Sequence, residues 1–189
     1  MTLDSILEMV PDKFSDITTT SKKFKTDVYT FFNTPEFSDK TCLEIGCKNG
    51  YTTLVLTYLF KMVYGINYDT IVSPNNFLVS KDRSNFKLFA QDVYKLGLPV
   101  NDSDVIFVDA IHTYQAVLID IENSLKLKSV GKKYFIFDDI GLYPEVRAAV
   151  YECVDAGLLK VEKKIGYGPF DGDFVRLLSD YEGVICSEK

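Results

Sequence analysis

Between Thr41 and Thr53 the chain runs from a short apolar stretch, Thr41-Cys-Leu-Glu-Ile45, into a turn holding two glycines, Gly46-Cys-Lys-Asn-Gly50, and then into Tyr51-Thr-Thr53, where a helical pattern opens. A buried strand that ends on a glycine turn and feeds a helix is the winding unit of a parallel α/β sheet, so the rest of the chain has to supply further strands and crossovers. The same stretch reads as a nucleotide-type cofactor loop, because glycines let the backbone approach a ligand closely. A dinucleotide fingerprint G-x-G-x-x-G begun at Gly46 would need glycine where Lys48 and Tyr51 stand, which disfavours NAD.

The expected winding continues downstream. Short apolar runs without alternation fall at 42–45, 62–66, 86–90, 105–108 and 134–137, which is the pattern of strands buried on both faces. Helical patterns lie between them at 52–61, 73–80, 114–126 and 144–156. Tyr114, Val117, Leu118, Ile121 and Leu125 form one apolar side of the third of these, as expected for a helix laid on a sheet. Pro144 sits where a helix begins and Gly157 where it stops. Two closing strands are expected at 158–164 and 173–178, joined by the turn Gly166-Tyr-Gly-Pro-Phe-Asp-Gly172 as an antiparallel pair. Residues 1–40 read as a helical lead-in with Phe24, Val28, Phe31 and Phe32 at helical spacing. At 189 residues and 47% hydrophobic content, one α/β domain spanning 1–189 is expected.

Charge sets expectations about partners. Lysine and arginine total 21 against 27 acidic residues, and only Arg83, Arg147 and Arg176 are arginines, so no basic stripe for a phosphate backbone is evident and no nucleic-acid partner is expected. The amino terminus has no basic n-region, and no run approaches the length of a membrane span, so a cytoplasmic protein without a membrane partner is expected. Self-association into a homo-oligomer stays open. Cys42, Cys47, Cys153 and Cys186 form no C-x-x-C pair and read as reduced, core-packed thiols.

In an open parallel sheet, ligands sit beyond the carboxyl ends of the strands, so the polar residues after each apolar run are the candidates for chemistry. Glu44 precedes the glycine loop, Asn67 and Asp69 follow the second run, and Asp92 follows the third. Asp109 ends the fourth, with His112 and Tyr114 just beyond it, and Asp138 and Asp139 end the fifth. Glu44-x-Gly46-x-x-x-Gly50 resembles the first motif of class I S-adenosyl-L-methionine (SAM) methyltransferases. Asp109-x-x-His112-x-Tyr114 closely resembles a segment of a small family that includes sugar and antibiotic O-methyltransferases (methyltransferase family 24). The resemblance covers roughly 41–156.

That resemblance implies a doubly wound, Rossmann-like seven-stranded sheet in the order 3-2-1-4-5-7-6 with the last strand antiparallel and helices on both faces. It implies SAM as cofactor, held by Glu44, Gly46, Gly50, Tyr51, Asn67, Asp69, Asp92 and Asp109. Asn67 stands where the family places an acidic residue on the ribose hydroxyls, and an amide offers one acceptor oxygen where a carboxylate offers two; Asp69 is the other candidate. Asp92 either accepts from the adenine amino group or caps a helix.

The implied reaction is methyl transfer to an oxygen of a small hydroxylated substrate such as a sugar, a glycosylated metabolite or a phenol. A hydroxyl attacks poorly until it loses its proton or meets a metal, so His112 is expected as base beside Asp109. Asp109, Asp138 and Asp139 are expected to hold Mg²⁺ or a similar hard cation. Read without a metal, the Asp-Asp pair is a turn or helix cap, and Tyr114 reads as packing. Two rivals remain: a non-catalytic binding or assembly module on the same fold, and a different reaction on that scaffold.

Overall fold

The computed structural model describes residues 2–12, 19–68, 83–167 and 181–189. Seven strands form one sheet: β1 Thr41–Ile45, β2 Met62–Asn67, β3 Phe86–Ala90, β4 Val105–Val108, β5 Tyr134–Phe137, β6 Leu159–Ile165 and β7 Gly183–Glu188. Their order is β3-β2-β1-β4-β5-β7-β6, as the winding pattern and the resemblance imply. The first five strands are parallel to one another, and β7 runs antiparallel to both β5 and β6.

The runs at the centre of the sheet are buried on both faces, β4 at all four positions, whereas β3, at the edge of the sheet, has no fully buried residue although its run also reads as apolar. Alternate residues go to opposite layers. Cys42, Val63, Phe107 and Ile136 face a layer built with α1 (Leu3–Glu8), α2 (Lys22–Phe32) and α3 (Tyr51–Leu56). Leu43, Ile45, Ile106 and Phe135 face the layer of α4 (Val93–Leu96), α5 (Tyr114–Leu125) and α6 (Pro144–Asp155). All four cysteines are free and buried.

Several boundaries differ from the sequence pattern. α3 stops at Leu56, well short of the expected 61. The closing strand is Gly183–Glu188, whereas the expected 173–178 lies outside the described residues, as does the expected helix at 73–80. Tyr181-Glu-Gly183 before β7 offers no turn signal of the usual kind, and Gly183 is there for space: a Cβ on it would stand 2.1 Å from the Phe137 carbonyl. Among the described residues no helix is long and apolar enough to cross a membrane.

Candidate functional site

The carboxyl ends of β1, β2, β4 and β5 converge on the turn that follows β1. Gly46 and Cys47 both donate their N–H to the Ile66 carbonyl, at 2.9 and 3.2 Å, which ties the turn to the end of β2. Gly46 has φ +95, and a Cβ there would lie 2.1 Å from the Asp109 carbonyl oxygen and 2.7 Å from Ala110 Cα. The glycine therefore lets the turn after β1 cross the segment after β4. Gly50, also left-handed, starts α3, and Lys48 adopts φ 41, a conformation that side chains other than glycine seldom take.

Asn67 holds this turn with both atoms of its amide. Its Oδ1 accepts the Lys48 N–H at 2.8 Å and its Nδ2 donates to the Lys48 carbonyl at 3.1 Å. A carboxylate has no donor for the second bond, so the amide at this position has a structural reason. Asp92 caps α4, accepting the Tyr94 N–H at 3.1 Å, and pairs with Lys95 at 3.1 Å. Asp69 lies outside the described residues.

Two cavities open around the turn. One, of about 360 Å³, runs between Ile66, Val93, Tyr94, Ala110 and Ile111, with Lys48, Asn67, Gln91 and Asp109 supplying polar groups. The other, of about 310 Å³, is walled by Thr19, His112, Asp138, Asp139, Leu142 and Tyr143. Gly46, Lys48, Asp109 and Ala110 line both, so the two cavities meet at that point. Glu44 and Tyr51 lie with Thr19 and Thr52 around a small recess beneath.

Glu44 is buried, and its Oε2 makes no hydrogen bond. Burial raises its pKa to about 8; the nearby Thr53 hydroxyl and the Lys25 ammonium pull the other way, while Asp109 adds to the rise. Lys25, which sequence reasoning did not single out, is fully buried on α2. It donates to Thr19 Oγ1 at 2.9 Å and to the Thr20 carbonyl, and burial lowers its pKa to about 8 against the attraction of Glu182, Asp138, Asp12 and Asp109. Its one sequence signal is a lysine on the apolar side of a helix, next to Phe24 and one turn before Val28 and Tyr29.

Asp109, His112 and Asp139 come together in the second cavity. His112 Nε2 lies 3.0 Å from Asp139 Oδ2 and 3.6 Å from Asp109 Oδ1, and its ring stacks on Tyr143 with centroids 4.3 Å apart. Burial by itself would lower the imidazole pKa, but the two carboxylates close to Nε2 carry it to about 10. Two carboxylates beside one ring nitrogen favour the imidazolium at neutral pH. It holds a proton where a base would have to lack one. Asp139 takes φ 59, which lets its carbonyl accept from Leu142 and Tyr143 at the entry to α6. The ligand atoms of Asp109, His112 and Asp139 lie within 4.8 Å of one another, whereas Asp138 is not in that group. Tyr114 packs between helices, its N–H donating to Glu145 at 2.9 Å and its hydroxyl to Glu152.

The fold matches solved structures. A tRNA (m1A58) methyltransferase from Aquifex aeolicus superposes with a TM-score of 0.67 at 17% identity, over 100% of this chain and 76% of that one. A precorrin-6y C5,15-methyltransferase from Geobacter metallireducens gives 0.63 at 15% identity, over 92% and 91%. Fibrillarin from Aeropyrum pernix, with natively bound SAM, gives 0.57 at 16% identity, over 87% and 74%. The chain has the class I methyltransferase fold. No family model and no curated protein matches the sequence, so the likeness to sugar and antibiotic O-methyltransferases rests on the motif around His112 alone.

One expectation is corrected by these neighbours. The methyltransferase fold is shared with a protein that acts on tRNA, which overturns the exclusion of nucleic acid and the choice of a small-molecule substrate. The exclusion relied on net charge, a sum over the whole surface, whereas contact with a phosphate backbone depends on where individual cations stand.

Proposed function

We propose that the protein is a SAM-dependent methyltransferase in which the larger cavity takes the cofactor and the adjoining one the methyl acceptor. The observation that carries this reading is the contact of the two cavities at Gly46, Lys48, Asp109 and Ala110, beyond the carboxyl ends of β1 and β4. The residues present suit the cofactor. Its adenosine would find apolar walls in Ile66, Val93 and Ile111, with Asn67 and Gln91 among the polar groups beside them and Asp92 next in the chain. Its cationic amino-acid end would meet Glu44, whose Oε2 has no partner, close to Gly46, Gly50, Tyr51 and Asp109. When bound, SAM supplies an electrophilic methyl group for in-line displacement.

The chain's own groups shape the acceptor side. Asp109 and Asp139 accept hydrogen bonds, which favours an acceptor that presents a hydroxyl. His112 keeps the two carboxylates together as an imidazolium, and becomes a base only after an arriving group displaces one of them and lowers its pKa. Mg²⁺ does not suit this arrangement: the group that converges includes an imidazole, Asp138 stands outside it, and a small hard cation prefers an oxygen-only shell. No step is assigned to a metal.

Methyl NMR of the labelled full chain titrated with S-adenosylhomocysteine tests the assignment of the cavities. Signals of Ile66, Val93, Ala110 and Ile111 are expected to move together and saturate. Shifts confined to another face, or none, would contradict it.

A further inference from the structure

The wall of the larger cavity that carries Val93 and Tyr94 is α4, a helix of four residues. A helix that short has no stability of its own and is held in place by its surroundings. Its ends are tied locally: Asp92 caps the first turn, and the Gln91 amide donates to the Gly97 carbonyl at 2.6 Å. To the rest of the fold, residues 93–96 make one hydrogen bond among the described residues, from the Tyr94 hydroxyl to Asp120 Oδ2 at 3.1 Å.

Asp120 is an expensive residue for that purpose. It lies on the buried side of α5 with Val117, Ile121 and Ser124, where an apolar side chain would cost less, and no cation among the described residues pairs with it. Burial pushes its pKa up to about 7, and the Tyr94 hydroxyl pulls the other way. Charged groups on the neighbouring elements are engaged elsewhere: Lys133 closes the carboxyl end of α5, Glu145 and Glu152 of α6 take the Tyr114 N–H and hydroxyl, and Asp92 pairs with Lys95.

Tyr94 connects two walls of the same cavity. It lines the cavity next to Val93, while Ile111 lines it from the segment after β4. Burial and the Asp120 carboxylate raise the phenol pKa, whereas the Ile111 backbone N–H, close to the same oxygen, pulls it down. One hydroxyl therefore brings together α4, the segment after β4 and α5.

We propose that Asp120 is a positioning residue for the cofactor: through the Tyr94 hydroxyl it holds α4 as a preformed wall of the larger cavity. The inference rests on the cofactor reading of that cavity. A wall already in place does not have to be ordered by the ligand, so the bond to Asp120 is read out as affinity for the adenosine end. A hydroxyl donates more strongly to a carboxylate than to a neutral acceptor, which gives the buried charge on α5 its use.

Calorimetric titration of the full chain with 5′-methylthioadenosine tests it, since this probe carries the adenosine of SAM without the amino-acid end and so leaves Glu44 out of the readout. Tyr94→Phe and Asp120→Leu are each expected to weaken binding about tenfold, and the double variant no further, because either change releases the same wall. Wild-type affinity should rise severalfold between about pH 5.5 and about pH 8.5, as Asp120 loses its proton near pH 7. Asp120→Asn still accepts the Tyr94 hydroxyl but carries no charge, so that slope should flatten. A dispersed NMR spectrum certifies that each variant is folded. Unchanged affinity in folded Tyr94→Phe, losses that multiply in the double variant, or a pH slope that Asp120→Asn leaves as it was overturns the proposal. S-adenosylhomocysteine titrated into the wild type separates the two readings: if neither ligand binds, the cofactor reading falls and this inference with it, whereas binding that Tyr94→Phe leaves intact removes this inference alone.

Discussion

The two ends of the same strands are built on opposite terms. At the amino end of β4, Asp104 accepts the Thr41 N–H at 3.0 Å and the Val130 N–H at 2.7 Å, and Lys40 stands 3.9 Å away. Nearby, the buried Lys133 ammonium donates to the carbonyls of Ser124, Leu125 and Leu127, at 3.0, 2.9 and 2.8 Å, and so closes the carboxyl end of α5. Each of these charges is completed by the chain itself. At the carboxyl end, Glu44 keeps an oxygen without a partner, and Lys25 is buried with its pKa lowered. His112 has two carboxylates beside one ring nitrogen, which raise its pKa. One end is finished by folding, and the other leaves charge and space for a ligand. Backbone strain gathers at that second end too, at Lys48 and Asp139, which adopt left-handed conformations without being glycine.

The sharpest way to break this contrast is Gly46→Val. Its Cβ would meet the Asp109 carbonyl at 2.1 Å in a left-handed conformation, so both the turn and the junction of the cavities are disrupted. A loss of SAM affinity of more than about 10²-fold is expected by calorimetry, along with a lower melting temperature. Near-normal affinity would show that the turn does not shape the cofactor site.

Next comes the closed end. Asp104→Ala leaves the part-buried N–H groups of Thr41 and Val130 without their acceptor, and a destabilisation of about 1–2 kcal/mol in urea unfolding is expected, with SAM affinity unchanged. A large loss of SAM affinity in a folded Asp104→Ala protein would mean that the two ends are not independent.

Glu44→Gln should have the reverse profile. Folding raises the Glu44 pKa from 4.5 to about 8, so the folded protein keeps a proton that the unfolded chain releases. That contribution is present in acid and is lost as the pH climbs from about 4.5 through 8. Glutamine removes the slope, so the variant should match the wild type near pH 5 and exceed its stability at pH 9. SAM affinity should nevertheless fall roughly tenfold, because a cationic amino-acid end would draw the proton off Glu44 and pair with the carboxylate, and glutamine cannot ionise. Unchanged affinity would move that end away from Glu44.

How much of this was legible beforehand follows the same division. β1 to β5 could be read because each leaves a short apolar run, from burial on both faces in the central strands and despite partial exposure in the edge strand β3, and the polar residues at or just after their ends, Glu44, Asn67, Asp109 and Asp139, do gather at one edge. The partners of those residues could not. Asn67 folds back on Lys48, and Asp92 on Tyr94, through local bonds that no spacing rule distinguishes from ligand contacts. Thr19, just before α2, and Lys25 on it come to the site from upstream of β1, a tertiary fact with no local pattern. His112 was expected as a base because its ordinary pKa suits the task; two carboxylates from different strands reverse that, and only their convergence reveals it.

A smaller effect refines that last point. His112 titrates near 6.5 in an unfolded chain and about 10 when folded, so its stabilising contribution is complete below about pH 6.5 and disappears as the pH passes through 10. His112→Gln should therefore lower the melting temperature at pH 6 and leave it unchanged near pH 11. A constant difference across that range would mean that the imidazole is not held as a cation.

The central claim is that the carboxyl end of the sheet is an incomplete site finished by SAM. Calorimetric titration of the full chain with SAM at neutral pH tests it most directly. The expected result is one saturable site with a Kd of about 1–100 µM and a matching rise in melting temperature. No heat and no thermal shift at millimolar SAM or S-adenosylhomocysteine would contradict it.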